Sequence, residues 1–332
     1  MWMIIFVLQA LLFSTAMGQF KIQIQVTAMS TPKAYLKEFI GAQDINMIDS
    51  VRTDRPGEIR FTLPADAHPG MYRVVMGPQA WLDFIFNRED IVLSTHYKAP
   101  VDSLKVIRSQ ENILWNEYMN HFMILSKKQE GLARLLTLYN PSDPFYKTIE
   151  EELTGIAQTD PESVSRRIIQ DYPETYVARM LKIEQSPRVP VGLSRDKEIN
   201  YIIDHFFDDI DFNDSTLIYS PPLIYKVNGF FGLHQQAFPP QELEEALIDG
   251  VNGLMSKAAV NDAVFAFLQD QLALMFERSE FETFFAYFTE NYLLDASCLD
   301  ETRNLELAET LEAIKKTTIG NTAPEIIIPS DV

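Results

Sequence analysis

A chain of 332 residues with 46% hydrophobic and 11% aromatic content carries enough apolar material for a sizeable core, which excludes a disordered polymer. Its 47 acidic residues against 28 basic ones leave a net charge of −19, a surface that repels phosphate backbones and anionic lipid heads. Nucleic acid is therefore not an expected partner.

The first residues, MWMIIFVLQALLFSTAMGQF, form an uncharged apolar run from Trp2 to about Phe13. The run is too short to span a bilayer, which takes roughly 20 apolar residues. Ala16 and Gly18 then stand where small residues precede a signal-peptidase cut, so residues 1–18 read as a secretory signal peptide cleaved between Gly18 and Gln19. A positive n-region is missing. The expected location is periplasmic or secreted, with no stable membrane insertion after cleavage.

Residues 19–104 read as an antiparallel β-sandwich. Phe20, Ile22, Ile24 and Val26 alternate with Lys21, Gln23 and Gln25, the period of a half-buried strand. Ile59, Phe61 and Leu63 repeat the pattern after the turn Arg55-Pro56-Gly57. Met71 to Val75, Trp81 to Phe86 and Ile91 to Leu93 follow at the spacing of a sandwich. Pro32 to Gly41 is ambiguous between strand and helix, and Ile48-Asp49-Ser50-Val51 reads as a turn.

Residues 105–316 read as an all-α domain, which makes the chain α+β and multidomain. From Ser109 to Tyr139 apolar residues recur three or four apart, which predicts a long helix with one apolar face, broken near Gly131. Asp143-Pro144 and Asp160-Pro161 each combine a capping acid with a proline at the first helical position. Further helices are expected over Asp196–Phe207, Pro221–Phe231, Gln241–Met255, Asp262–Arg278, Glu280–Leu293 and Thr302–Lys316.

The candidate chemistry is sparse. Asp209, Asp211 and Asn213 copy the first three ligand positions of a calcium loop, but Asp214 stands where the turn wants Gly and Ser220 where a bidentate Glu is needed. His205 with Asp208 or Asp209 is the one candidate acid/base pair. Cys298 is the single cysteine, so neither an intramolecular disulfide nor a Cys-x-x-Cys pair is possible, and Asp295, Asp300 and Glu301 around it disfavour a thiolate. Two aromatic clusters, Trp81-Leu-Asp-Phe84-Ile-Phe86 and Phe281-Glu-Thr-Phe284-Phe285-Ala-Tyr287-Phe288, fit a core or a ligand groove. No catalytic, metal or cofactor-binding residue is assigned, and no cofactor is expected.

An export signal, a small sandwich and a long helical segment, in that order, resemble the N-terminal region of thioredoxin-like (TlpA or AhpC/TSA-type) thiol–disulfide oxidoreductases of Gram-negative envelopes. The stretches Phe206 to Leu217 and Pro221 to Val227 look like the signature of that family's helical domain. Ile319-Gly-Asn-Thr-Ala323-Pro324-Glu-Ile326 is similar to the lead-in of its redox domain, so 317–332 reads as a tail resembling that domain's start. The family's redox cysteines have no counterpart in this sequence. The resemblance implies a non-catalytic exported module that binds or positions a protein partner in the cell envelope, possessing no reductase activity of its own. The alternative is a stand-alone periplasmic peptide- or glycan-binding protein. Asp49-Ser50-Val51 and Asp102-Ser103-Leu104 are also similar to O-glycosylation triplets of such envelope proteins.

Overall fold

The computed structural model describes residues 19–294 except Gln43, 54–56, Asp160 and Arg278, together with Leu305, Glu309, Leu311, Glu312 and Ile314. The leader, Cys298, the tail and most of the helix expected over Thr302–Lys316 lie outside the described residues.

Eight strands come first: β1 (Gln19–Thr27), β2 (Lys33–Ile40), β3 (Asp44–Arg52), β4 (Glu58–Pro64), β5 (Gly70–Gly77), β6 (Ala80–Phe86), β7 (Ile91–His96) and β8 (Lys105–Arg108). They make two four-stranded sheets, ordered β4-β1-β7-β8 and β3-β2-β5-β6. Pairing is antiparallel except between β1 and β7. The alternation read in β1 is the reason it sits here: Ile22, Ile24 and Val26 turn inward with Phe61 and Leu93 of their sheet, against Leu36, Val74 and Phe84 of the other.

One ambiguity is resolved in this half and two expectations are corrected. Pro32 to Gly41 contains strand β2. Ile48 to Val51 is not a turn but part of β3, whose register with β2 jumps from Leu36↔Asp49 to Lys37↔Met47 and leaves Ile48 as an extra residue in a bulge. The sandwich also runs past residue 104, because β8 pairs with β7 as far as Arg108.

The helices are α1 (Gln110–Leu136), α2 (Pro144–Thr159), α3 (Pro161–Asp171), α4 (Tyr176–Glu184), α5 (Arg195–Asp204), α6 (Pro222–Ala237), α7 (Pro240–Ala258), α8 (Asp262–Phe276) and α9 (Glu282–Phe288). A 3-10 turn occupies Ser215–Tyr219, and α9 widens into a π turn over Thr289–Leu293. Helix α1 passes Gly131 unbroken, since one glycine costs only about 1 kcal/mol and every neighbouring residue is a good helix former. Asp143 caps α2 as expected, accepting the Phe145 N–H at 2.9 Å. Helix α4 has no counterpart among the expected helices.

The two halves share a core. The outer face of the second sheet puts Phe39, Met71 and Ile85 against Leu114 of α1, Ile168 of α3 and Tyr176, Val177 and Leu181 of α4. Buried hydrogen bonds fix this seam. The Asn112 side-chain amide takes the Ile85 N–H at 2.8 Å and donates to the Ile85 carbonyl at 2.7 Å, closing the free edge of β6 as a neighbouring strand would. Glu111 accepts the N–H groups of Tyr176 and Val177, the unpaired amides at the start of α4, and also Asn87 Nδ2 at 2.6 Å. Glu89 performs the same service for α1, accepting from Ser109 Oγ at 2.6 Å and from the Gln110 N–H at 3.1 Å. On the far side the Gly41 N–H reaches the Ile218 carbonyl at 2.7 Å, and His68 stacks on Tyr219 with ring centres 4.3 Å apart.

Candidate functional site

The seam leaves an open cleft of about 620 Å³ beside it. Its sheet wall is Phe39 and Met71, with the Arg73 guanidinium 5.1 Å from the Phe39 ring centre and 5.6 Å from that of Trp81. Arg73 is neutralised by Asp83, which it grips with both Nε and Nη2, the second bond at 2.7 Å. One turn after another of α1 supplies Trp115, Tyr118, Met119 and Phe122. Met180 and Glu184 of α4 form the floor, and Phe206 with Pro222, Tyr225 and Lys226 of α6 forms the third wall. The lining is mostly aromatic and methionine, surfaces that adapt to varied apolar shapes. Phe122 and Tyr225 stand 45% and 60% exposed at the rim, unusually open for such side chains.

Two further charged groups line the cleft. Glu184 keeps contact with solvent, yet protein crowds its carboxylate enough that burial raises its pKa, against the Tyr118 hydrogen bond and the charge of Lys226, which pull it down. Tyr118 donates to Oε2 at 2.8 Å. Burial lowers the Lys226 pKa, with Asp209 and Glu184 opposing. The Lys226 ammonium donates to the Gln185 carbonyl at 2.6 Å and lies 4.2 Å above the Phe206 ring centre. Glu184 and Lys226 therefore share the cleft without a direct ion pair.

His205 lies at a second, polar recess of about 370 Å³, with Arg166, Lys182 and Arg188 nearby. Its Nδ1 meets Asp208 Oδ2 at 2.6 Å, and Lys257 reaches the other oxygen at 3.3 Å. The His205 hydrogen bond, aided by Lys257, holds the Asp208 carboxyl below its usual range. Both members of the pair are nearly half exposed, and among the described residues no hydroxyl is hydrogen-bonded to the imidazole. The arrangement is that of a solvent-exposed hydrogen-bonded pair.

The acidic stretch after it builds structure. Phe207, Ile210 and Phe212 enter the core, while Asp214 caps the 3-10 turn through the Thr216 N–H and pairs with Arg179 at 2.7 Å. No group of three metal-ligating side chains occurs among the described residues. Of the two aromatic clusters, Phe284, Phe285 and Phe288 are buried, as are Phe84 and Phe86, whereas Trp81 is 41% exposed. Ser50 stands open on β3, but the Ser103 hydroxyl is tied to Ala99, Thr95 and His96.

Comparison with family models, with curated proteins and with solved structures returns no match. The cleft thus stands on its geometry alone. Sequence reasoning misses it, although it places Tyr118 and Phe122 on one apolar helix face. The signal is present: Trp115, Tyr118, Met119 and Phe122 widen that face beyond what a single core contact uses.

Proposed function

We propose that the chain is a non-catalytic holding module, exported to the cell envelope, that binds and positions a protein partner. The observation that carries this reading is the cleft at the seam. It is apolar, aromatic, open to solvent and held by walls that buried hydrogen bonds fix to one another. Such a surface recognises a protein segment by area and shape, the way grooves take apolar helices or extended peptides. Among the described residues no helix is long and apolar enough to cross a membrane.

The resemblance supplies the wider context: a thioredoxin-like thiol–disulfide oxidoreductase system in which this body holds and another domain reduces. A stand-alone peptide-binding protein would use the same cleft. Trp115 on the cleft wall offers a direct readout. Titrating the purified chain with a thioredoxin-like redox domain, and separately with peptides, is expected to shift an emission component that Trp115→Phe removes. Insulin disulfide should stay intact throughout. Reduction of insulin by this chain, abolished by Cys298→Ser, would replace the holding function with a catalytic one.

A further inference from the structure

We propose that the cleft's occupant is an amphipathic, basic segment of a partner protein, whose apolar face lies on the aromatic walls while a lysine or arginine reaches Glu184. This inference rests on the holding function above and adds the chemistry of the partner. Three observations lead to it.

The first is local. Tyr118 engages Oε2 of the exposed Glu184, and among the described residues nothing is hydrogen-bonded to Oε1. An occupant that covers the floor strips that oxygen of water. A purely apolar one would leave it unsatisfied, at a cost that offsets much of the benefit of covering the aromatic walls. A cationic N–H donor removes the penalty. Lys226 does not do so: its ammonium donates to the Gln185 carbonyl, and no hydrogen bond or ion pair joins it to Glu184.

The second is the neutrality of the sheet wall. Arg73 is matched by Asp83 on the sheet wall, so no unpaired cation there calls for an acidic partner. The third is the field of the whole chain. With a net charge of −19 it attracts basic segments and repels acidic ones before they touch. Size agrees as well: a space of about 620 Å³ takes a few large side chains from one face of a helix or strand.

The test uses two fluorescent synthetic helices with the same leucine and methionine face, one carrying lysine and the other glutamate on its polar side. Each is titrated against the chain from Gln19 onward by polarisation. The lysine peptide should bind at least about tenfold more tightly, a difference of about 1.4 kcal/mol that shrinks as salt is raised. Phe122→Ser and Tyr225→Ser, both at exposed positions that leave the fold intact, should each weaken it about tenfold. Glu184→Gln should narrow the gap between the two peptides. Equal or tighter binding of the glutamate peptide, or indifference to both rim variants, overturns the inference. If the peptides bind alike but lose affinity in the rim variants, the basic partner is refuted and the holding function stands. If neither peptide binds and Trp115 stays silent toward a redox domain, both readings fall.

Discussion

At the scale of single residues, Glu111 and Asn112 do more than any other adjacent pair to join the two halves. Asn112 satisfies both backbone groups of Ile85 in a site closed to water, so Asn112→Ala orphans a donor and an acceptor together. Each buried orphan costs about 1–3 kcal/mol, a large fraction of the stability of an ordinary protein. Asn112→Asp should be nearly as harmful, because its second oxygen would face the Ile85 carbonyl. Urea denaturation of both variants against the parent measures this. Glu111 gives a pH dependence with a definite sign. Burial raises its pKa, although hydrogen bonds from Asn87, Val177 and Tyr176 favour the ionised form. The folded chain therefore holds this proton more tightly than the unfolded chain does. The corresponding stability is fully present below the ordinary carboxylate range and is lost as pH rises through that range to the raised value. Glu111→Gln should flatten this fall on the alkaline side of the ordinary carboxylate range. It should also lower stability at every pH, since one of the three donors would then meet an amide NH₂. Urea midpoints at successive pH values for the two chains would reveal either effect, and an unchanged slope would rule out Glu111 as the titrating group.

Among the elements, legibility follows the simplicity of each environment. Strands β1 and β4 face one core on one side, and their period of two reads directly. Strand β6 is covered on both faces, by the sandwich interior and by the helices, α1 among them, yet its aromatic run still marks it. Strand β3 is hidden for a physical reason: it is an edge strand, exposed along most of its length and bulged at Ile48, so Asp49 and Ser50 lend it the look of a turn. Helix α4 spans nine residues between Pro173 and Pro187 and buries six of them. Arg179, Lys182 and Glu184 form its polar side, but nine residues give too short a stretch for a helical period to stand out. The cleft is the least legible feature. Its walls come from separate elements, and each residue in isolation passes for core. The bulge in β3 also carries a prediction. Met47 is 66% exposed on this edge, so Met47→Lys should change stability by no more than about 0.5 kcal/mol while blunting edge-to-edge association. Light scattering of heated samples, parent against variant, is the measurement. A large loss of melting temperature would mean that Met47 packs against something.

For the whole molecule, the shared core decides how it unfolds. Were the helical body to open alone, the sandwich would expose Phe39, Met71 and Ile85, all now buried. At about 1.5–3 kcal/mol for each large apolar side chain, that exposure alone costs roughly 5–9 kcal/mol. The figure rivals the entire stability of a typical domain, before the hydrogen bonds of Glu111 and Asn112 are counted. The chain is therefore expected to unfold in one cooperative transition, with Trp115 fluorescence at the seam and far-ultraviolet circular dichroism tracing the same curve. A second substitution tests the cause. A Cβ on Gly70 would stand 2.7 Å from Tyr219 Cβ and 3.0 Å from the Tyr219 carbonyl oxygen, too close for either to remain in place. Gly70→Ala should thus push the 3-10 turn off the sheet, and with it the His68–Tyr219 stack, without touching either hydrophobic interior. The two probes should then separate, fluorescence falling first. Because the same seam fixes the cleft walls, the lysine peptide should bind this variant more weakly even where circular dichroism reports full folding. Two resolved transitions in the parent chain would show instead that sandwich and helices are independent, and that the cleft between them is not held rigidly enough to select a partner.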